Sequence, residues 1–185
     1  MDRKYSIITG FMGKVKDRFI DYQPARSMEE MVKMASGIKG CSGLEVVYPQ
    51  NFTDAGELKK LLDAYGLGVS TVNLNVKGDE IWRYGSFTHP DPKVRRKAID
   101  AMKEAMDKAA QLECPIVTCA LLNDGVDYPF EINYIDAFQY AVEGIREAAE
   151  YRKDVKISLE YKQSEPRVHC LLNNAGKMAY FAQLT

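Results

Sequence analysis

The sequence predicts an α/β fold of the (β/α)8 TIM barrel type, with about the first five βα units present. Three observations carry this. Strand-like and helix-like stretches alternate along the chain, which implies parallel strands joined by right-handed crossovers. The strands end in polar residues, at Asn73 and Asn75, Asn123 and Asp124, and Glu160 and Lys162, the end at which such barrels carry their active sites. No Gly-x-Gly-x-x-Gly follows the first strand, so an open dinucleotide-binding sheet lacks its main support. The chain has 185 residues, whereas a complete barrel takes about 250. Residues 1–185 are therefore expected to form a single domain, the N-terminal portion of a barrel continued by a longer chain.

The elements follow in order. Tyr5 to Thr9 is a short β-branched strand. Ser27 to Ile38 reads as a helix, with Ser27 and Glu30 at capping-box spacing. Gly43 to Tyr48 is a strand closed by Pro49. Asp54 and Glu57 can cap a helix running to Tyr65, and Gly66 follows its end. Val69 to Val76 is the third strand. Asp91-Pro92 supplies an N-cap with proline at the first helical position. From there Val94, Ala98, Ala101, Met102, Ala105, Met106 and Ala109 form a core-facing stripe. Ile116 to Leu122 is the fourth strand. Ile132, Ile135, Phe138, Val142 and Ile145 mark a helix, Val155 to Tyr161 the fifth strand, and Asn174 to Leu184 a further helix.

Composition excludes several functions. Lys and Arg number 25 against 26 Asp and Glu, so the basic excess needed to neutralise nucleic-acid phosphates is absent. With 46% hydrophobic residues, disorder is not expected. No apolar run approaches the roughly 20 residues of a membrane span. The N-terminus lacks a long apolar signal core, so a cytoplasmic protein is expected. Cys41, Cys114, Cys119 and Cys170 form no CxxC pair and are read as reduced, mostly buried thiols.

The segment Val155 to Lys162 holds the strongest chemical signal. Side chains alternate along a strand. Ile157, Leu159 and Tyr161 then face the outer helices, while Lys156, Ser158, Glu160 and Lys162 face the barrel axis. A carboxylate at the barrel mouth can bind a hard divalent cation, and a neighbouring ammonium can steady a developing oxyanion. The plain alternative is a Glu160–Lys162 ion pair closing the strand, which spacing alone favours. Glu45 lies opposite Leu44 and Val46, so it also faces the axis, where a structural polar network is its plain reading.

Leu159 to Arg167 (LEYKQSEPR) resembles the Glu-x-Lys-x-x-Glu-Pro-Arg segment of the xylose isomerase-like sugar isomerases and epimerases. Gly85 to Arg96 (GSFTHPDPKVRR) is similar to that family's Phe-Thr…Asp…Val-Arg-Arg segment before the third barrel helix. The resemblance covers Gly85 to Leu184. It implies a barrel that binds a divalent metal (Mn²⁺, Mg²⁺ or Co²⁺) and interconverts aldoses and ketoses or epimerises ketoses. It makes Glu160 a metal ligand and proton-transfer base, Lys162 a contact to the sugar's reacting end, and Phe87 an aromatic wall of the sugar pocket. The other ligands in this family come from strands six to eight, beyond Thr185.

Two departures bear on the substrate. No histidine precedes His89, and Asn51-Phe52-Thr53-Asp54 stands where xylose isomerases carry a ring-opening histidine. Leu121-Leu122-Asn123-Asp124-Gly125 replaces the tryptophan-and-glycine segment after the fourth strand. A sugar other than xylose, handled by carboxylate proton transfer, is the expectation. Two histidines and no basic excess argue against the related branch that cleaves abasic DNA.

Trp82 is a candidate to stack on a sugar face, with lid packing or a subunit contact as equal alternatives. Asn123, Arg167 and His169 are candidate substrate contacts; a surface or interface role serves His169 as well. His89 reads as a solvated loop residue and Arg95-Arg96 as a solvated helix face. The expected partners are a small-molecule sugar and further copies or a second kind of subunit. A barrel subunit of a metal-dependent C-glycoside-cleaving lyase and a non-catalytic truncated barrel are the alternative readings.

Overall fold

The computed structural model describes residues 3–16, 20–52, 54–128, 130–165 and 168–185. Five parallel strands carry the architecture: β1 (Tyr5–Ile8), β4 (Cys41–Tyr48), β5 (Gly68–Leu74), β6 (Ile116–Ala120) and β8 (Lys156–Glu160). Their spatial order is β1-β4-β5-β6-β8. Order in space follows order in sequence with no switch point. A barrel wall has that connectivity; a doubly wound sheet reverses direction in its middle. Short pieces decorate the ends. β2 (Val15–Lys16) and β3 (Asp21–Gln23) form a hairpin after the 3₁₀ turn Thr9–Phe11. β7 (Gly125–Val126), β9 (Ser164–Glu165) and β10 (Val168–Cys170) form a small antiparallel sheet in the order β7-β10-β9.

The helices are α1 (Met28–Ser36), α2 (Ala55–Ala64), α3 (Pro92–Gln111), α4 (Tyr134–Tyr151) and α5 (Ala175–Leu184). Their starts obey local chemistry. Ser27 Oγ accepts from Glu30 N at 3.2 Å, and the Glu30 carboxylate accepts from Ser27 N at 2.7 Å; both bonds of the capping box are made. Asp54, Asp91 and Asn174 cap α2, α3 and α5 through Glu57 N, Lys93 N and Lys177 N. Gly66, at φ 66°, ends the turn after α2.

The core lies between the sheet and these helices. Leu44, Val46, Val72, Leu74, Val117 and Cys119 are buried on the helix-facing side of β4, β5 and β6. Against them pack Val32 and Ala35 from α1, Leu58 and Leu62 from α2, Met102 and Met106 from α3, and Ala141 and Ile145 from α4. The stripe expected on α3 is the buried one, with Val94 and Ala101 half-buried at its rim. Gly43 pairs with Gly68, and a Cβ at Gly43 would lie 2.9 Å from Gly68 O, so β4 and β5 approach there only because no side chain intervenes. Cys114, Cys119 and Cys170 are buried free thiols and Cys41 is half-buried. Burial pushes the Cys114, Cys119 and Cys170 thiols up from their ordinary value. No helix among the described residues is long and apolar enough to cross a membrane.

Two sequence expectations are corrected. The fourth helix does not begin at Ile132. Asn133 caps it by accepting from Ile135 N and Asp136 N, which fixes its first turn and leaves Ile135 77% exposed. Arg95 and Arg96 are not a freely solvated face. The Arg95 guanidinium lies 3.8 Å from the Tyr140 ring centroid and donates to the carbonyls of His89 and Pro90. Arg96 forms a two-pronged pair with Glu147, at 2.6 and 2.8 Å, joining α3 to α4.

Candidate functional site

The sheet face turned away from the helices is polar. Asn73 donates to Glu45 Oε1 at 2.7 Å, Thr118 Oγ1 donates to the same oxygen at 2.9 Å, and Thr71 and Thr118 hydroxyls lie 3.0 Å apart. Glu45 therefore faces the inner side, within the polar network read for it. Thr118 pairs with Ser158 and Ala120 with Glu160 across β6 and β8. Alternation then puts Ser158 and Glu160 on this same face, while Ile157 and Leu159 pack towards the core.

Glu160 ends β8 and is exposed. Among the described residues its carboxylate has no hydrogen-bond or ion-pair partner. The Glu160–Lys162 ion pair is not formed. Lys162 Nζ instead pairs with the Glu165 carboxylate, because the chain turns back after Lys162 into β9 and brings Glu165 alongside. That hydrogen bond, seconded by the charges of Glu165 and Glu160, raises the Lys162 ammonium above its ordinary pKa. A hard cation seeks an anionic oxygen free of competing donors, and Glu160 offers one. Among the described residues no cluster of three or more His, Cys, Asp or Glu side chains forms.

The mouth loops are joined to one another by Asp124, 1% exposed in the loop after β6. Its Oδ1 accepts from Ser86 N at 2.9 Å, Thr88 N at 2.8 Å and Thr88 Oγ1 at 2.7 Å, and its Oδ2 accepts from Ser86 Oγ. Asn123 donates from Nδ2 to the carbonyls of Lys77 and Trp82, at 3.2 and 3.1 Å. Asn123 thus ties two loops, and it also borders a cavity of about 510 Å³ with Arg83, Tyr84, Val126 and Ile132.

The aromatic candidates lie deeper than expected. Phe87 is fully buried, and a Cβ built on Gly144 of α4 would sit 3.0 Å from its ring. Phe87 is a core residue and does not wall a pocket: Ser86 and Thr88 are both held by Asp124, which turns the intervening side chain inward. Trp82 is 8% exposed and belongs to the hydrophobic cluster, as lid packing requires. His169 is exposed on β10 and pairs with Ser164 and with Val126, which borders the cavity, but His169 itself does not line it. His89 accepts from Asp91 N through Nδ1 at 3.0 Å, a loop role. Arg167 lies outside the described residues, as does Thr53.

Sequence reasoning placed Asp124 at a strand end without a role. Its signal is the Gly85-Ser86-Phe87-Thr88 turn, whose two hydroxyl residues flank a large apolar one.

The sequence profile described as xylose isomerase-like TIM barrel matches residues 33–182. The xylose isomerase of Thermus thermophilus is 31% identical over 127 residues, which are 66% of this chain and 33% of that protein. A probable sugar isomerase of Mesorhizobium japonicum is 27% identical over 124 residues, 64% of this chain and 29% of that one. This chain thus spans about a third of the length of the curated relatives it matches. The crystal structure of D-psicose 3-epimerase with D-tagatose from Clostridium cellulolyticum superposes with a TM-score of 0.70 at 18% identity, covering 98% of this chain and 59% of that one.

Proposed function

From the premise that this chain belongs to the xylose isomerase-like TIM barrel family, we propose that it forms part of a divalent-metal-dependent sugar isomerase or epimerase. The substrate is a monosaccharide or a simple derivative, and the chemistry is carboxylate-assisted proton transfer. The observation that carries this reading is the pair formed by Glu160 and Lys162 at the end of β8: an exposed carboxylate without a hydrogen-bond or ion-pair partner among the described residues, and an ammonium two residues on. Glu160 would hold the cation together with ligands outside these 185 residues. When bound, the cation supplies Lewis-acid polarisation of a sugar oxygen. Glu160 is suited to take a proton from the carbon beside the sugar carbonyl and return it. The Lys162 ammonium, exchanging Glu165 for substrate, is suited to steady the oxygen that gains charge.

The test is a pair of substitutions in the full-length protein. Glu160→Gln keeps the size and removes the charge and the basic oxygen. It is expected to lose most bound metal and about 10²–10⁴-fold in turnover, with its melting temperature close to that of the parent. Lys162→Met is expected to keep metal and lose turnover. Stoichiometric metal and near-normal turnover in Glu160→Gln would remove Glu160 from the site.

A further inference from the structure

We infer that Asp124 is the positioning residue of the barrel mouth, a single carboxylate that sets the loop after β5 and the loop carrying Lys162 relative to each other. The side chain acts on one loop and the backbone on the other. Four donors from Ser86 and Thr88 converge on the carboxylate. The Asp124 carbonyl accepts from Leu171 N at 2.8 Å, and the next residue, Leu172, accepts from Lys162 N at 3.3 Å. A continuous hydrogen-bonded path therefore runs from the turn at residues 86–88, through Asp124, to the backbone of Lys162. The following residues reinforce it, since Gly125 and Val126 pair with Cys170 and His169.

Gly85 is an independent sign that the turn is built around this carboxylate. It sits at φ 104°, and a Cβ there would lie 2.5 Å from Thr88 Oγ1 and 3.5 Å from Asp124 Oδ1. The chain has given up a side chain and accepted a left-handed backbone so that the turn closes onto one acid. A carboxylate taken out of water is costly unless each acceptor site is used, and here both oxygens are used. Gly85 N in turn donates to Trp82 O at 3.1 Å, so the same carboxylate holds Trp82 in its buried place and Lys162 beside Glu160. The proposal rests on the reading of Glu160 and Lys162 as the reacting pair only for its catalytic consequence; the coupling of the loops stands apart from it.

Trp82 is the single tryptophan of the chain, so its emission and its quenching by iodide report the loop without any assay of activity. In Asp124→Ala, Trp82 is expected to become accessible to iodide. The amides of Ser86, Thr88, Leu171 and Lys162 should each lose about tenfold in hydrogen-exchange protection, the factor that one hydrogen bond of ordinary strength represents. Far-UV circular dichroism should stay the same. Asp124→Asn should restore parental behaviour, because its amide oxygen still accepts at the Oδ1 position and its NH₂ can donate to Ser86 Oγ. Parental quenching and exchange in Asp124→Ala overturn the proposal. So does loss of protection at Ser86 and Thr88 with Leu171 and Lys162 unmoved, and so does failure of Asn to rescue. Should the alanine variant not fold, Ser86→Ala/Thr88→Val keeps the acid and removes two hydroxyl donors; unchanged exchange at Leu171 and Lys162 in that variant overturns the coupling. In the full-length enzyme, kcat/KM should fall in the alanine variant while metal content stays whole. A fall absent only there would count against the catalytic consequence and leave the coupling measured by exchange.

Discussion

Glu147 shows how position decides what a charged residue does. Hydrogen bonds from Arg96 and then from Lys103 hold its carboxyl down to about 2 from 4.5. A carboxyl lowered on folding stabilises the fold above its ordinary value and loses that contribution as pH falls through the folded one. The advantage of the parent over Glu147→Gln is therefore expected to be full at neutral pH, to fade between about 4.5 and about 2, and to shrink in salt. Arg96 and Glu147 side chains are 51% and 40% exposed, so solvent screening limits the gain to about 1 kcal/mol or less. Urea midpoints against pH check this, and parallel curves for the two proteins would refute it. Residue-level legibility was uneven. The inward direction of Glu45 and Glu160 followed from two-residue alternation, because their neighbours Leu44, Val46, Ile157 and Leu159 are apolar. Phe87 was placed wrongly because its direction depends on Asp124, 37 residues away, and no local periodicity encodes that.

Among the elements, those set by short-range chemistry were readable and those set by distant partners were not. Ser27, Asp54, Asp91 and Asn174 announce α1, α2, α3 and α5 because a cap acts within three residues. β7, β9 and β10 are two or three residues each, too short to show alternation, and they exist only because the chain after Lys162 folds back onto Gly125 and Val126. Contact between α3 and α4 turns on one missing side chain. Gly144 lets Phe87 and Ile99 approach to 3.0 and 3.3 Å of where a Cβ would stand. Gly144→Val is expected to cost about 1–3 kcal/mol by overpacking, read as a lower denaturant midpoint. A midpoint equal to the parent's would show that the two helices can slide apart at no cost.

On the scale of the molecule, the sheet has two outer strands, β1 and β8, each paired on one side only among the described residues. Beside β8 lies a cavity of about 490 Å³ bordered by Ile145, Val155, Ile157, Leu159 and Met178. A parallel strand edge next to apolar surface invites pairing with another chain. The 185-residue chain is expected to sediment as more than one copy at concentrations of about 10–100 µM, and Ile157→Lys should lower the average mass. A constant single-chain mass for the parent across that range would show that these edges are protected. The parallel strands and their order were legible from the alternation of elements, whereas the shape of the mouth was not, since loops that close on one another carry no period.

The polar network across the inner face has a direction. A threonine hydroxyl has one hydrogen to give and two lone pairs to fill. Thr118 gives its hydrogen to Glu45 and receives from Asn73, so its remaining lone pair can only receive, and Thr71 must be the giver in their contact. Hydrogens thus all point the same way across three strands, from Thr71 through Thr118 to the acid. Glu45 acts as a polarity marker for the interior: through its contacts with Asn73 and Thr118 it decides the orientation of hydroxyls on β5 and β6. A neutral amide in its place would have its own hydrogens to give, and the row could then run either way.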